Sequence, residues 1–320
     1  MKKLINRLTV GLALLAAAMV GPAKAQTFPE KPLRLIVTVG PGAPADSLCR
    51  LYADEVSKKI GQPIIVENRP GGGAVIAAEA VNGAPADGYT LGCFNAVSFT
   101  PALQKTLPWD FLKGMEPVAG LFRAGFFLVA TGKLPVNNYG EFLAYAKANP
   151  GKLNNYQLGP SQQVGFAAFA ARAGIKVVDV GYKGAEAYQA LLAGDVHAGL
   201  DGPASFLGQL QAGKVKLLFI ASNVRSPLFP DIPTATEVGL KDFELPSGLS
   251  LWTKAGAPAE AIAKLNAAMN EALKTPRMIE AIRQTGGVAV TGSPENLRRQ
   301  TEHDFRTWTD AARAANFVPQ

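Results

Sequence analysis

Pro32-Leu-Arg-Leu-Ile-Val-Thr-Val-Gly-Pro-Gly-Ala-Pro-Ala-Asp46 is the stretch around which the rest of the chain is organised. Residues 33–39 are apolar and rich in β-branched side chains apart from Arg34 and Thr38, the pattern of a buried strand. Gly40, Pro41, Gly42 and Pro44 break it, because glycine permits positive φ and proline removes a backbone donor. Asp46 stands where a helix begins, and Leu48, Leu51, Tyr52, Val56 and Ile60 recur at helical spacing after it. A strand, a glycine turn and a helix start together make a small anion pocket. Free N–H groups point out of it, and the helix dipole favours negative charge. Gly42 and Ala43 in the turn are candidate ligand contacts, and Asp46 is a helix cap, a ligand contact or both.

Working outward, residues 62–67 read as a second strand, 68–73 as a loop and 74–81 as a helix of small residues. Residues 89–94 form a third strand that ends in Asn95-Ala96-Val97-Ser98. A β-α-β-α-β order predicts a parallel sheet with right-handed crossovers. Ligands of such sheets sit beyond the carboxyl ends of the strands. The turns at 40–46, 71–73 and 95–98 therefore share one edge, which adds Asn95 and Ser98 to the candidates.

Residues 118–123 and 126–131 are apolar runs that leave this first unit as crossing strands. The alternation then repeats. Residues 155–157 open a strand with 158–163 as its loop, and 164–173 form a helix. Residues 176–180 form a strand followed by Tyr182-Lys183-Gly184 and a helix to Ala193. Residues 196–200 form a strand whose terminal loop begins at Asp201, and 216–221 form another. Residues 243–252 cross back. Amphipathic helices follow at 258–273 and 276–284, and Ser293-Pro294 caps a last helix. The fold class read from this order is α/β, with two similar lobes, each a doubly wound and mainly parallel sheet. Lobe 1 takes residues 26–124 and 247–320, lobe 2 takes 125–246, and a ligand cleft lies between them.

Composition narrows the function. Lys2, Lys3 and Arg7, an apolar run over 8–20 and Ala23-Lys24-Ala25 make an export signal, so cleavage is expected after Ala25 and the mature chain is expected in the periplasm. The whole chain carries a formal charge of +7. Residues 1–25 hold four basic residues and no acid, which leaves 28 basic against 25 acidic residues, or +3. That balance, with no basic run, points away from nucleic acid. His197 and His303 are the only histidines, and they cannot build a metal site with the scattered Cys49 and Cys93. An oxidising compartment permits a Cys49–Cys93 bridge, but buried free thiols are the expected state. No Gly-x-Ser-x-Gly elbow, Walker loop or complete dinucleotide fingerprint is present, so the chain reads as non-catalytic and without a cofactor. A hydrolase would need a nucleophile–base pair, and neither histidine falls near a loop serine.

Taken in order, the motifs resemble one family. They include Phe28-Pro29-Glu30-Lys31-Pro32, Val66-Glu67-Asn68-Arg69-Pro70-Gly71, Pro85-Ala86-Asp87-Gly88-Tyr89-Thr90 and Leu107-Pro108-Trp109-Asp110. Later ones are Ala148-Asn149-Pro150-Gly151-Lys152, Tyr182-Lys183-Gly184, Gly194-Asp195-Val196 and Asp231-Ile232-Pro233-Thr234. The chain resembles the Bug-type extracytoplasmic solute receptors of the tripartite tricarboxylate transporter family. The resemblance implies a two-lobed periplasmic binding protein fold (type II-like). It implies closure on a small carboxylate through backbone amides, hydroxyls and bridging waters, and delivery to membrane transporter subunits. A ligand sensor for a membrane kinase would use the same fold, and a monomer is expected of a clamp that opens and docks. The loops depart from the family pattern where they would touch ligand. Gly40-Pro41-Gly42-Ala43-Pro44-Ala45-Asp46 stands for the usual Pro-Pro-Gly-Gly-Gly-Thr-Asp, and Gly165 stands where a His is usual. Ser161, Gln162 and Gln163 at the cleft edge suit carboxylate recognition, and Tyr182 and Asp201 complete the candidates. Phe94 and Phe99 read as core.

Overall fold

The computed structural model describes residues 28–104, 108–182 and 186–319. The expected export signal and cleavage site, with Lys183 and Gly184, lie outside these residues. The elements in order are β1 (Leu33–Val37), α1 (Pro44–Ile60), β2 (Ile64–Asn68), α2 (Val75–Asn82), β3 (Thr90–Phe94), α3 (Phe111–Gly114) and β4 (Met115–Gly125). Next come β5 (Phe127–Thr131), α4 (Tyr139–Ala148), β6 (Leu153–Gln157), α5 (Pro160–Ala173), β7 (Val177–Gly181), α6 (Glu186–Ala193) and β8 (Ala198–Asp201). The chain ends with α7 (Leu207–Gln211), β9 (Val215–Ile220), β10 (Pro246–Lys254), α8 (Ala259–Ala272), α9 (Pro276–Gln284), β11 (Val288–Ala289) and α10 (Pro294–Ala314).

Two sheets form, one six-stranded in the order β11-β4-β10-β3-β1-β2 and one five-stranded in the order β7-β6-β8-β5-β9. The parallel pairing read from the sequence makes one half of each: β2-β1-β3 in the first and β7-β6-β8 in the second. The other half of each is antiparallel: β10 pairs against β3 and β4 in the first sheet, and β5 pairs against β8 and β9 in the second. Phe126 and Leu245 are the link residues. They meet Ala221 in a short ladder, with Ala221 N donating to Phe126 O at 2.7 Å and Leu245 N to Ala221 O at 3.0 Å.

Alternation along β1 and β3 sends side chains to two cores. Leu33, Leu35, Val37, Leu91 and Cys93 face α1, α8 and α9, whereas Ile36 and Phe94 face the aromatic cluster of Phe99, Phe111 and Trp252. Phe94 and Phe99 are thus core, as expected. Cys49 on α1 meets Cys93 on β3 in that first core, and the two are bridged. This corrects the expectation of free thiols. The helix lies across the sheet face onto which Cys93 points, which brings the two Cα atoms to 6.9 Å.

The last helix belongs to both lobes. Leu297 packs in the first lobe's aromatic core, while Trp308 and Ala312 sit in the second lobe's core with Phe126, Phe169, Leu200 and Leu245. Between them, Arg123 of β4 binds both oxygens of Asp304 at 2.8 Å. Gly165 belongs to the same second-lobe core, where a Cβ would come within 2.9 Å of the Leu245 side chain and 3.2 Å of Leu200. Its lack of a side chain is explained by packing.

Candidate functional site

A cavity of about 370 Å³ lies where the strands end. Thr38 and Val39 follow β1, Asn95 and Ser98 follow β3, and Asp201, Gly202 and Ala204 close β8 and its loop. The crossing strands supply the floor with Phe122, Ala124 to Phe126 and Ser247 to Leu249. The first turn of α1 contributes Pro44, Ala45 and Leu48. Both lobes and three carboxyl strand ends therefore meet at one place, which is the position the doubly wound topology dictates. A larger hollow of about 590 Å³ is walled by Phe99, Trp109, Phe111 and Phe305 and lacks that convergence.

Of the residues singled out from the sequence, Asn95, Ser98 and Asp201 line this cavity. Asn95 Nδ2 donates to Ser247 Oγ at 3.3 Å, which ties the end of β3 to the crossing strand. Asp46 does not cap α1. The helix starts two residues earlier at Pro44, whose fixed φ suits the first helical position, so Asp46 falls inside the first turn. Its carboxylate is buried and accepts from Gly42 N at 2.9 Å, Arg50 Nε at 3.0 Å and Asn68 Nδ2 at 2.7 Å. Burial pushes its pKa up, but the hydrogen bonds from Arg50, Asn68 and Gly42 outweigh that and hold it below the usual carboxylate range. Asp46 thus pins the glycine turn, fixing Gly42 and Ala43 beside Pro44 at the cavity rim. Ser161, Gln162 and Gln163 occupy the first turn of α5, half-buried, with Ser161 Oγ bonded to Gln162 Oε1 at 3.2 Å. Tyr182 packs against the core that holds Tyr156 and Phe206. The wall residues that sequence reading missed are mainly those of the crossing strands, Phe122, Phe126 and Ser247 to Leu249. They come as consecutive residues, 124–126 and 247–249, which no alternating pattern would pick out.

Residues 48–316 match the tripartite tricarboxylate transporter family receptor. The chain belongs to that family. The receptor is 34% identical over 293 residues to a UPF0065 protein of Bordetella pertussis (strain Tohama I), a match covering 90% of each chain. Among solved structures it resembles R. palustris Rpa4515 with adipate, at 28% identity and a TM-score of 0.82, covering 92% of this chain and 100% of that one. It also resembles MatC from Rhodopseudomonas palustris with bound malate, at 29% identity and a TM-score of 0.78, covering 89% and 100%. The family is one of periplasmic solute-binding receptors. Among the described residues of the receptor, no group of three or more His, Cys, Asp or Glu could hold a metal ion.

Asp201 dominates the electrostatics of the receptor's cleft. Its carboxylate is 8% exposed and accepts from Gly202 N at 2.7 Å and, weakly, from the Tyr156 hydroxyl at 3.4 Å. Tyr188 stands beside it and donates to Ser205 Oγ at 3.3 Å. A Cβ at Gly199 would collide with the Tyr156 ring, so the glycine makes room for that tyrosine next to the acid. Burial pushes Asp201 up to about 6, with the hydrogen bonds only partly opposing, and pushes Tyr188 up to about 12. A folded-state pKa above the unfolded value means stability that is present below about pH 4 and lost as pH rises through about 6. At pH 8 the empty receptor therefore carries a cost of about 3 kcal/mol at this residue. Asp201→Asn is expected to melt higher than the parent at pH 8 and near it at pH 4.5, measured by thermal unfolding without ligand. Equal melting offsets at both pH values would contradict the burial.

Proposed function

We propose that this receptor clamps a small carboxylate-type metabolite between its lobes and delivers it to a tripartite tricarboxylate-type membrane transporter. The observation that carries the reading is the cavity at three strand ends, walled by both lobes, in a chain of this family. Two relatives of the same architecture hold adipate and malate, which supports a small organic acid here. Donors at the rim suit an acid without needing a cation. Pro44 has no N–H, so the amides of Ala45 and Asp46 at the start of α1 are the donors that its first turn leaves, with Asn95 and the hydroxyls of Thr38, Ser98 and Ser247 beside them. Asn95, Ser98 and Asp201 contact the ligand, Gly42, Ala43 and Asp46 shape the rim, and Ser161 to Gln163 with Tyr182 come to it as the lobes close. The receptor works as a periplasmic monomer, cleaved after Ala25, with its hinge at 124–126 and 245–247.

The test is a thermal-shift panel on the mature chain, from Gln26, against C4 to C6 dicarboxylates, citrate, acidic amino acids, nicotinate and benzoate-type acids. A ligand at a hundredfold excess over its Kd adds about 2.7 kcal/mol to the folded state, so a rise of several degrees is expected for at least one class. Asn95→Ala should reduce that rise. A flat response to every acid overturns the carboxylate reading.

A further inference from the structure

The cleft is electrically lopsided. Among the described residues that line it, Asp201 is the one ionisable group, and it is an acid. Its partners are the Gly202 N–H and the hydroxyls of Tyr156 and Tyr188, all neutral donors, and no lysine or arginine is among them. A buried carboxylate held by neutral donors alone is costly to keep charged, so a cationic or strongly donating group in the cavity would interact with it more strongly than in water. Across the cavity the wall has the opposite character. The start of α1, Asn95, Ser98 and Ser247 present donors and a positive helix end. A plain acid meets a favourable wall on that side and repulsion on the other.

We propose that Asp201 is a specificity residue that selects acids carrying a second, hydrogen-bond-donating group. The ligand's carboxylate lies against the first lobe, and an ammonium or hydroxyl of the same molecule donates to Asp201. This deepens the carboxylate reading and rests on it. An ammonium is the stronger partner, because it compensates the buried charge as well as donating a hydrogen bond. Isosteric Asp201→Asn removes most of the preference. Its oxygen stays with the Gly202 N–H, and its NH₂ then faces the cavity as a donor where an acceptor stood.

The experiment is isothermal titration of the mature receptor with matched sets: succinate, malate and aspartate, then glutarate and glutamate. The donor-bearing member of a set is expected to bind about tenfold or more tighter than the plain acid. In Asp201→Asn that ratio is expected to fall to about threefold or less, while the plain acid binds no more weakly than in the parent. A variant that had merely lost its fold would lose both members together, and the loss would show as a lowered melting temperature. Plain acids that bind the parent as well as their substituted partners overturn the inference and leave the carboxylate reading standing. A ratio unchanged in Asp201→Asn also overturns it. If no acid of any kind binds, the carboxylate reading falls and takes the inference with it.

Discussion

Trp308→Ala is expected to lower the unfolding free energy by about 4 kcal/mol, measured by urea denaturation of the mature protein. Trp308 is fully buried although it sits near the end of the chain. Its ring packs edge-on against Phe126, with centroids 6.0 Å apart, and its Nε1 donates to Pro246 O at 2.9 Å. Both contacts are to the crossing segments, one on each. Truncation therefore opens a cavity in the second lobe's core and also orphans a buried carbonyl at the start of β10. The half-buried Trp109 provides the comparison, and its alanine variant should lose less than half as much. A loss below about 1 kcal/mol for Trp308→Ala would mean that the end of α10 is not part of the second lobe's core. The contact also bears on function. α10 makes a third connection between the lobes, beside the links at Phe126 and Leu245, through Trp308 and the Arg123–Asp304 pair.

Much of this architecture was legible because it follows from local rules. The strand, turn and helix of residues 32–46 announced β1 and α1, and the repeated alternation announced a second lobe with the same parallel core order. The crossing runs were visible as apolar stretches between units. Their antiparallel pairing was not, because hydrophobic alternation fixes which face a side chain takes and not which way a neighbour runs. The stripe Leu297, Thr301, Asp304, Trp308 and Ala312 marks an amphipathic helix. Nothing in its spacing says that its two ends enter different cores.

The site was legible at strand ends and illegible where packing decides. Asn95, Ser98 and Asp201 follow strands of the parallel halves, so topology alone placed them at the cleft. Asp46 reads as the helix start because Pro44 reads as a breaker, although proline is also a good first helical residue. Its three partners lie four residues back in sequence, four ahead, and at the end of β2. Only the last is a long-range contact, and it is the one that no local rule foresees. The raised pKa of Asp201 likewise comes from burial, which the hydroxyls of Tyr156 on β6 and Tyr188 on α6 only partly oppose, and neither tyrosine is near it in sequence.

Reducing the Cys49–Cys93 bridge is expected to cost about 4 kcal/mol of stability, the loop-closure value for cysteines 44 residues apart. Urea unfolding with and without a phosphine reductant isolates this term, since reduction leaves both sulfur atoms in place. The double variant Cys49→Ala with Cys93→Ala should lose somewhat more, because it also removes packing from a fully buried position in the first core. A difference below about 1 kcal/mol would show that the bridge adds little beyond packing. The consequence should reach the cleft. Cys49 is adjacent to Leu48 and Cys93 lies two residues before Asn95, and both of those neighbours line the cavity. The bridge thus fastens the first turns of α1 to the end of β3 directly behind the ligand wall. Any acid found to bind should bind more weakly to the reduced protein even under conditions where both forms are fully folded. The loss should appear as a faster off-rate, because the wall it loosens holds the ligand after capture.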